Sequence, residues 1–176
     1  MLTMRALPSI LRQTVPVATI AVEVDHDRSG APATRNRALD AVLAAGVDWV
    51  GFLDDDDELL PHHVETLLGV AGAADVVWGW FEVVGGTDPF PQHRGRRWDP
   101  ADPHIFPIPA LVRAEAIFRS AARFSTEPDP TGNWAVQDFP FWRALWDGGA
   151  RFLGVETITW RWYHHGANTS GLAARC

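Results

Sequence analysis

The run Val47-Asp-Trp-Val-Gly-Phe-Leu53, followed at once by Asp54-Asp55-Asp56-Asp57, limits the possible folds of this chain more than any other feature. A short apolar run bounded by polar residues reads as a strand buried inside a sheet. Four adjacent carboxylates repel one another, and a structural charge run normally lies on a solvated helix face or in a tail. Here an apolar strand delivers it to the end of a sheet, where open α/β sheets bind ligands. A hard cation such as Mg²⁺ or Mn²⁺ would neutralise the cluster and carry phosphate oxygens on its open positions. The bland alternative is an acidic turn, with Asp57 or Glu58 favouring the N-terminus of the next helix.

Around that segment helices and strands alternate. Leu7, Ile10 and Leu11 lie at helical spacing, and Pro16 ends that helix. Val17–Val24 is β-branched and largely apolar, the pattern of a strand buried on both faces. Ser29-Gly30 and Pro32 mark a helix start, Leu39, Val42 and Leu43 its apolar stripe, and Gly46 its cap. Pro61 opens another helix, whose Val64, Leu67, Leu68 and Ala71 share one face. Asp75–Val84 reads as a third strand. Gly85–Pro109 is long for a structureless loop, a length that is usually functional or mobile. Beyond it come a strand near Ala110–Arg113, a helix from Ala114, a loop through Glu127–Asn133 and a helix from about Asp138 to Asp147. The β-like stretches Arg151–Val155 and Thr157–Tyr163 close the pattern. Strands separated by helices of this length imply right-handed crossovers and a mainly parallel sheet in a single α/β domain.

Composition excludes several classes of function. A net charge of −7 argues against general nucleic-acid binding, which needs a basic surface. No apolar run approaches the roughly 20 residues needed to cross a bilayer, and Met1–Leu11 lacks the apolar core of a signal peptide. A cytoplasmic location is the expectation. The single cysteine, Cys176, allows neither a disulfide framework nor a cysteine-based zinc site.

Several segments, in order, resemble family-2 glycosyltransferases of the GT-A type. Ser9-Ile10 with Gln13-Thr14-Val15-Pro16 resembles the stretch before their second strand, and Val24-Asp25-His26-Asp27 the turn after it. Thr34-Arg35-Asn36-Arg37-Ala38-Leu39, then Trp49–Asp57, Leu60-Pro61 and Leu67, look like the family's central run with its DxD motif. Gln137-Asp138, Trp142, Leu145 and Gly148–Phe152 resemble the late acidic motif, and His165-Gly166 with Asn168-Thr169-Ser170 the closing one. The resemblance implies a three-layer α/β/α GT-A fold over residues 1–176. Residues 1–84 would be the nucleotide-sugar-binding half and residues 85–176 the acceptor and catalytic half.

It implies roles at matching positions as well. Asp54 and Asp56 would be the outer residues of the DxD motif, Asp56 as a direct metal ligand and Asp54 as a ribose or metal-water contact. Asp25, Arg35, Asp54 and Asp55 would contact the donor nucleotide, although Asp25 also suits a plain turn and Arg35 a solvated first helical turn. Asp138 would be the general base that takes the acceptor hydroxyl proton during inverting transfer, and it also suits an N-cap before Pro140. Gln137 stands where the family often has Glu. His165, with His164 as the neighbour it could be confused with, would complete the shell of Mn²⁺ or Mg²⁺. The implied partners are a UDP-, GDP- or dTDP-sugar and an acceptor of unknown class. Trp98 and Trp134 are candidate stacking platforms, and Arg94, Arg96 and Arg97 could grip a pyrophosphate or anionic acceptor. Either set could equally be ordinary loop anchoring or a solvated cluster.

The family's usual first strand has no counterpart before Met1-Leu2-Thr3, which already resembles the helix after it. Losing that strand would expose neighbouring edges and remove part of the nucleotide pocket. Two alternatives to transfer stay open. One is a nucleotidyltransferase on a sugar phosphate, which normally carries a Gly-rich phosphate loop. The other is a catalytically impaired carbohydrate- or nucleotide-binding domain.

Overall fold

The computed structural model describes residues 2, 4–101, 108–127 and 138–164. Ala6–Leu11 forms α1 and Ala31–Ala44 forms α2. Trp49–Gly51 (β1), Glu58–Leu59 (β2), His63–Ala71 (α3) and Val76–Val84 (β3) follow. After a 3₁₀ turn at Pro91–His93 come Ala110–Arg113 (β4), Ala114–Ser120 (α4), Phe139–Asp147 (α5) and Phe152–Tyr163 (β5). The five strands form one sheet in the order β1-β4-β3-β5-β2.

Alternation along the central strands sorts their side chains between two helical layers. Val50, Val76, Trp78 and Val112 pack with Leu39 of α2, Ile117 of α4 and Phe141, Trp142 and Leu145 of α5. Val77 and Leu111 face the other way, onto Val64, Leu67 and Ala71 of α3. Three layers result, as the resemblance implies. No helix among the described residues is long and apolar enough to cross a membrane.

The sheet is mixed rather than mainly parallel. β3 and β5 pair in parallel, while β1–β4, β3–β4 and β2–β5 pair antiparallel. β1, β3 and β5 therefore share one direction. A helix intervenes between β1 and β3, so the crossover argument gives their direction correctly. It says nothing about β4, which enters after the long segment that follows β3 and wedges between them. It says nothing about β2, which follows the acidic turn directly.

Val17–Val24 departs further from expectation. It belongs to no strand, and Val17, Val22 and Val24 are 38%, 47% and 51% exposed. β-propensity describes fitness for a half-buried pleated surface, so apolar β-branched composition alone does not make a strand. Among the described residues β1 is paired only by β4. Its other edge has no strand beside it among the described residues.

Candidate active site

The acidic cluster is a built turn between two anchored strands. Phe52, just past β1, stands edge-on to Phe124 at 5.1 Å and to Phe141 at 5.6 Å. The turn closes with the Asp57 amide donating to the Asp54 carbonyl at 3.3 Å. β2 then pairs Glu58 with Arg161 and Leu59 with Trp160 of β5. The end of β5 thereby meets the turn, and the Tyr163 amide donates to Asp57 Oδ1 at 3.0 Å. Asp57 is 6% exposed. Burial pushes its carboxyl up to about 8, against the Tyr163 hydrogen bond and with help from the charges of Asp56 and Asp54.

Arg35 organises the rest. It sits in the second turn of α2 with its side chain 17% exposed. Its Nη2 donates to both oxygens of Asp54, at 2.7 and 2.9 Å, and its Nη1 donates to Asp138 Oδ1 at 2.7 Å. One guanidinium thus joins carboxylates 19 and 103 positions away in sequence. Burial opposes the charge of Arg35, but Asp54 and Asp138 outweigh it and hold its pKa above the ordinary value. Asn36 braces the arrangement. Its amide nitrogen donates to the Phe124 carbonyl at 2.9 Å, and its oxygen accepts from the Phe124 amide at 3.0 Å. The Phe124 ring lies 5.6 Å below the Arg35 guanidinium.

Asp138 stands at the N-cap of α5, yet its side chain makes no capping hydrogen bond. The carboxylate turns to Arg35 instead, while its main-chain carbonyl accepts from the Phe141 and Trp142 amides. Burial raises its pKa, Arg35 lowers it and Asp54 raises it, leaving it above the ordinary carboxylate value. A raised carboxylate pKa suits a group that must accept a proton near neutral pH.

The sequence pattern of "Glycosyl transferase family 2" matches residues 18–137, more than half of the 176. The chain belongs to glycosyl transferase family 2. Crystal structures of S. aureus TarS 1–349 share the fold. The complex with UDP-GlcNAc aligns at TM-score 0.62 and 15% identity, covering 82% of this chain and 42% of TarS. The complex with UDP aligns at TM-score 0.66 and 13% identity, covering 94% and 57%. This family-2 chain therefore spans about half the length of those structures. No curated protein sequence matches it.

The remaining expected site residues of this family-2 domain divide sharply. Asp25 is built into the turn before α2, accepting from the Ser29 and Gly30 amides at 2.8 and 2.9 Å and from the Ser29 hydroxyl at 3.1 Å. Burial raises its carboxyl, and these hydrogen bonds together outweigh that and lower it. Asp55 is exposed at the tip of the acidic turn. His164 follows β5, its amide bonded to the Val84 carbonyl and its ring edge-on to Trp162. His165, Gln137, Trp134 and Asn168-Thr169-Ser170 lie outside the described residues. Trp98 is no stacking platform, because it is buried in the main core and stacked on Phe152 at 4.7 Å. Arg94 is spent on the Glu156 carbonyl at 2.7 and 3.1 Å, while Arg96 and Arg97 are exposed.

Sequence reading missed Arg5. Its Nη1 donates to the Asp56 carbonyl at 3.2 Å, and its guanidinium lies 3.6 Å over the Tyr163 ring. A lone arginine before a six-residue helix carries no signal of that role. Among the described residues no three His, Cys, Asp or Glu side chains converge as a metal-ligand set. The carboxylates of Asp54 and Asp56 are nevertheless hard oxygen donors. One or two carboxylates with phosphate oxygens and water are the usual environment of Mg²⁺ on a nucleotide, so the donor set fits such an ion.

Proposed function

We propose that this chain transfers a sugar, of the hexosyl type, from a nucleotide-sugar donor to an acceptor hydroxyl with inversion. The observation that carries the reading is the Arg35 bridge, which gathers Asp54 of the DxD motif and Asp138 around one guanidinium. Residues 1–84 would hold the donor, with Asp25, Arg35, Asp54 and Asp55 toward its nucleotide. Residues 85–176 would hold the acceptor. TarS bound to UDP-GlcNAc favours a uridine nucleotide among the UDP, GDP and dTDP classes.

Asp138 takes the acceptor proton as the acceptor oxygen forms its bond to the anomeric carbon from the face opposite the leaving group. The anomeric carbon–oxygen bond breaks, and the nucleoside diphosphate departs with that electron pair. Arg35 keeps Asp138 close to the donor end and stabilises its carboxylate form. Asp54 and Asp56, with His165, would hold Mn²⁺ or Mg²⁺, which supplies charge stabilisation to the leaving diphosphate. Tyr163, two positions before His165, already bonds Asp57, which supports the histidine assignment. Mn²⁺ with UDP should raise the melting temperature by mass action, and Asp56→Ala should abolish that shift. An unchanged shift in the variant would remove Asp56 from the site.

The exposed Val17–Val24 segment, which leads to Asp25 and pairs with no strand, favours a second reading, a domain that binds nucleotide without turnover. Release of UDP from a UDP-sugar in the presence of Mn²⁺ decides between them. Binding with no release would leave only the second.

A further inference from the structure

The other end of the sheet carries a second charged hollow. It is open, about 470 Å³ in volume, and lined by Asp75, Arg113, Glu115, Arg119, Gly149 and Arg151. Register places it away from the acidic turn. Arg113 pairs with Trp49 at the start of β1, whereas the aspartates follow the end of that strand. Asp75 and Arg151 stand immediately before Val76 and Phe152, the first partners of the parallel pair β3–β5.

Its charges are arranged unlike those of an ordinary ion pair. Asp75 is the only buried carboxylate of the six lining residues, with its side chain 8% exposed. Three guanidiniums share it at long range, Arg151 Nε at 3.4 Å, Arg113 Nε at 3.7 Å and Arg119 Nη2 at 3.9 Å. Its shortest bond comes from the Arg151 main-chain amide at 2.9 Å. None of the three makes the two-pronged contact at roughly 2.7–2.9 Å that a committed arginine–carboxylate pair shows. Arg113 and Arg119 are instead held in place through main-chain carbonyls, Ala74 at 3.3 Å and Gly148 at 3.1 Å. Arg113 also lies 4.4 Å over the Trp49 ring.

One arginine would suffice to neutralise Asp75. Three around it repel one another, and the lining keeps a net positive charge even counting Glu115, on a chain of net charge −7. An anion in the hollow would relieve that repulsion, and the outward nitrogens of Arg119 and Arg151 are accessible to it, at 43% and 63% side-chain exposure. We propose that this hollow binds a small soluble oxyanion of the phosphate class, inorganic phosphate or a phosphate monoester, gripped by Arg113, Arg119 and Arg151. Guanidinium forks match tetrahedral phosphate oxygens geometrically. The site is independent of the donor site, so a nucleotide bound at the acidic turn does not compete for it.

The test titrates the full chain with inorganic phosphate at constant ionic strength, without divalent cation or nucleotide, following the arginine Nε–H resonances. Saturable shifts of Arg113, Arg119 and Arg151 are expected. The double variant Arg119→Gln/Arg151→Gln should weaken binding by about tenfold or more, the loss of charge-assisted hydrogen bonds. Arg151→Gln alone, at a mostly exposed side chain, keeps the test intact if the double variant folds poorly. A second arm adds UDP with Mn²⁺, which should leave the phosphate response unchanged, and a third adds vesicles containing phosphatidylglycerol. A response that never saturates, one that survives in both variants, or one displaced by UDP would overturn the proposal. Retention on vesicles without a response to phosphate would overturn it too, by assigning the arginines to a membrane surface.

Discussion

The two ends of this sheet treat buried charge in opposite ways. At the end where β1 finishes lie five carboxylates, Asp54 to Asp57 and Asp138, with Arg35 bonded to Asp54 and Asp138 and Arg5 held against the turn's main chain. At the end where β3 and β5 begin, one buried carboxylate lies among three arginines. The first end is under-compensated, and burial with like charges drives Asp57 up to about 8. The second is over-compensated. A fold tolerates such local imbalance where a ligand of opposite charge is to arrive, and the sign of the imbalance indicates the sign of the ligand.

The largest expected effect sharpens the contrast at the carboxylate-rich end. Asp138→Asn removes the proposed base and keeps the shape, so transfer should fall by roughly 10²- to 10⁴-fold. Because the side chain makes no capping bond, any stability lost in Asp138→Asn or Asp138→Ala comes from the broken contact to Arg35 and not from a lost cap. Chemical denaturation alongside a transfer assay checks both. Wild-type rates in Asp138→Asn would move the base elsewhere.

Next in size is an effect that belongs to neither end and must be separated from both. His63 of α3 is 2% exposed and shares a 3.0 Å hydrogen bond with Thr159. Burial lowers its pKa from 6.5 to about 4, partly offset by Thr159 and aided by His62. The folded state therefore resists protonation more than the unfolded chain does. Stability should be level above pH 6.5 and fall as pH drops toward 4, by on the order of 3 kcal/mol. Urea midpoints across that range, compared with His63→Gln, measure it. An equally steep acid limb in the variant would assign the effect to other groups.

Asp75→Ala tests the arginine-rich end. Removing the shared carboxylate strands three guanidiniums, at a cost of about 2 kcal/mol after allowance for their exposure. UDP release per folded molecule should stay at the wild-type level. A loss of transfer with stability intact would break the division between the ends. The smallest effect is expected at Asp55, exposed at the tip of the turn. Asp55→Asn should change stability by less than about 0.5 kcal/mol, and any weakening of donor affinity measures a direct nucleotide contact.

Legibility from sequence followed the range of the interactions. α2, α3, β4 and the strand before the acidic turn were readable because apolar spacing and nearby Pro and Gly define them locally. The Asp54–Asp57 run could be seen for the same reason. β2 could not, since two residues become a strand only by meeting Arg161 and Trp160 far along the chain. Val17–Val24 failed in the reverse sense, with strand-like composition but no strand pairing. Within the site, Arg35 and Asp138 were each readable as candidates. Their direct contact was not, and Asp138 suited a cap because its position is a cap position even though its side chain serves another purpose.

β5 has a consequence for how the molecule is made. It is the last described strand, yet it pairs with both β3 and β2 and supplies the amide that holds Asp57. Contacts this distant in sequence are slow to form, because a long loop must close before they stabilise anything. During synthesis the acidic turn would leave the ribosome unsupported and wait for Tyr163, 106 positions beyond Asp57, before its geometry is set. Assembly of the centre is thus tied to synthesis of β5, and a chain stopped before that strand would carry the Asp54–Asp57 run with neither β2 pairing nor the Tyr163 contact.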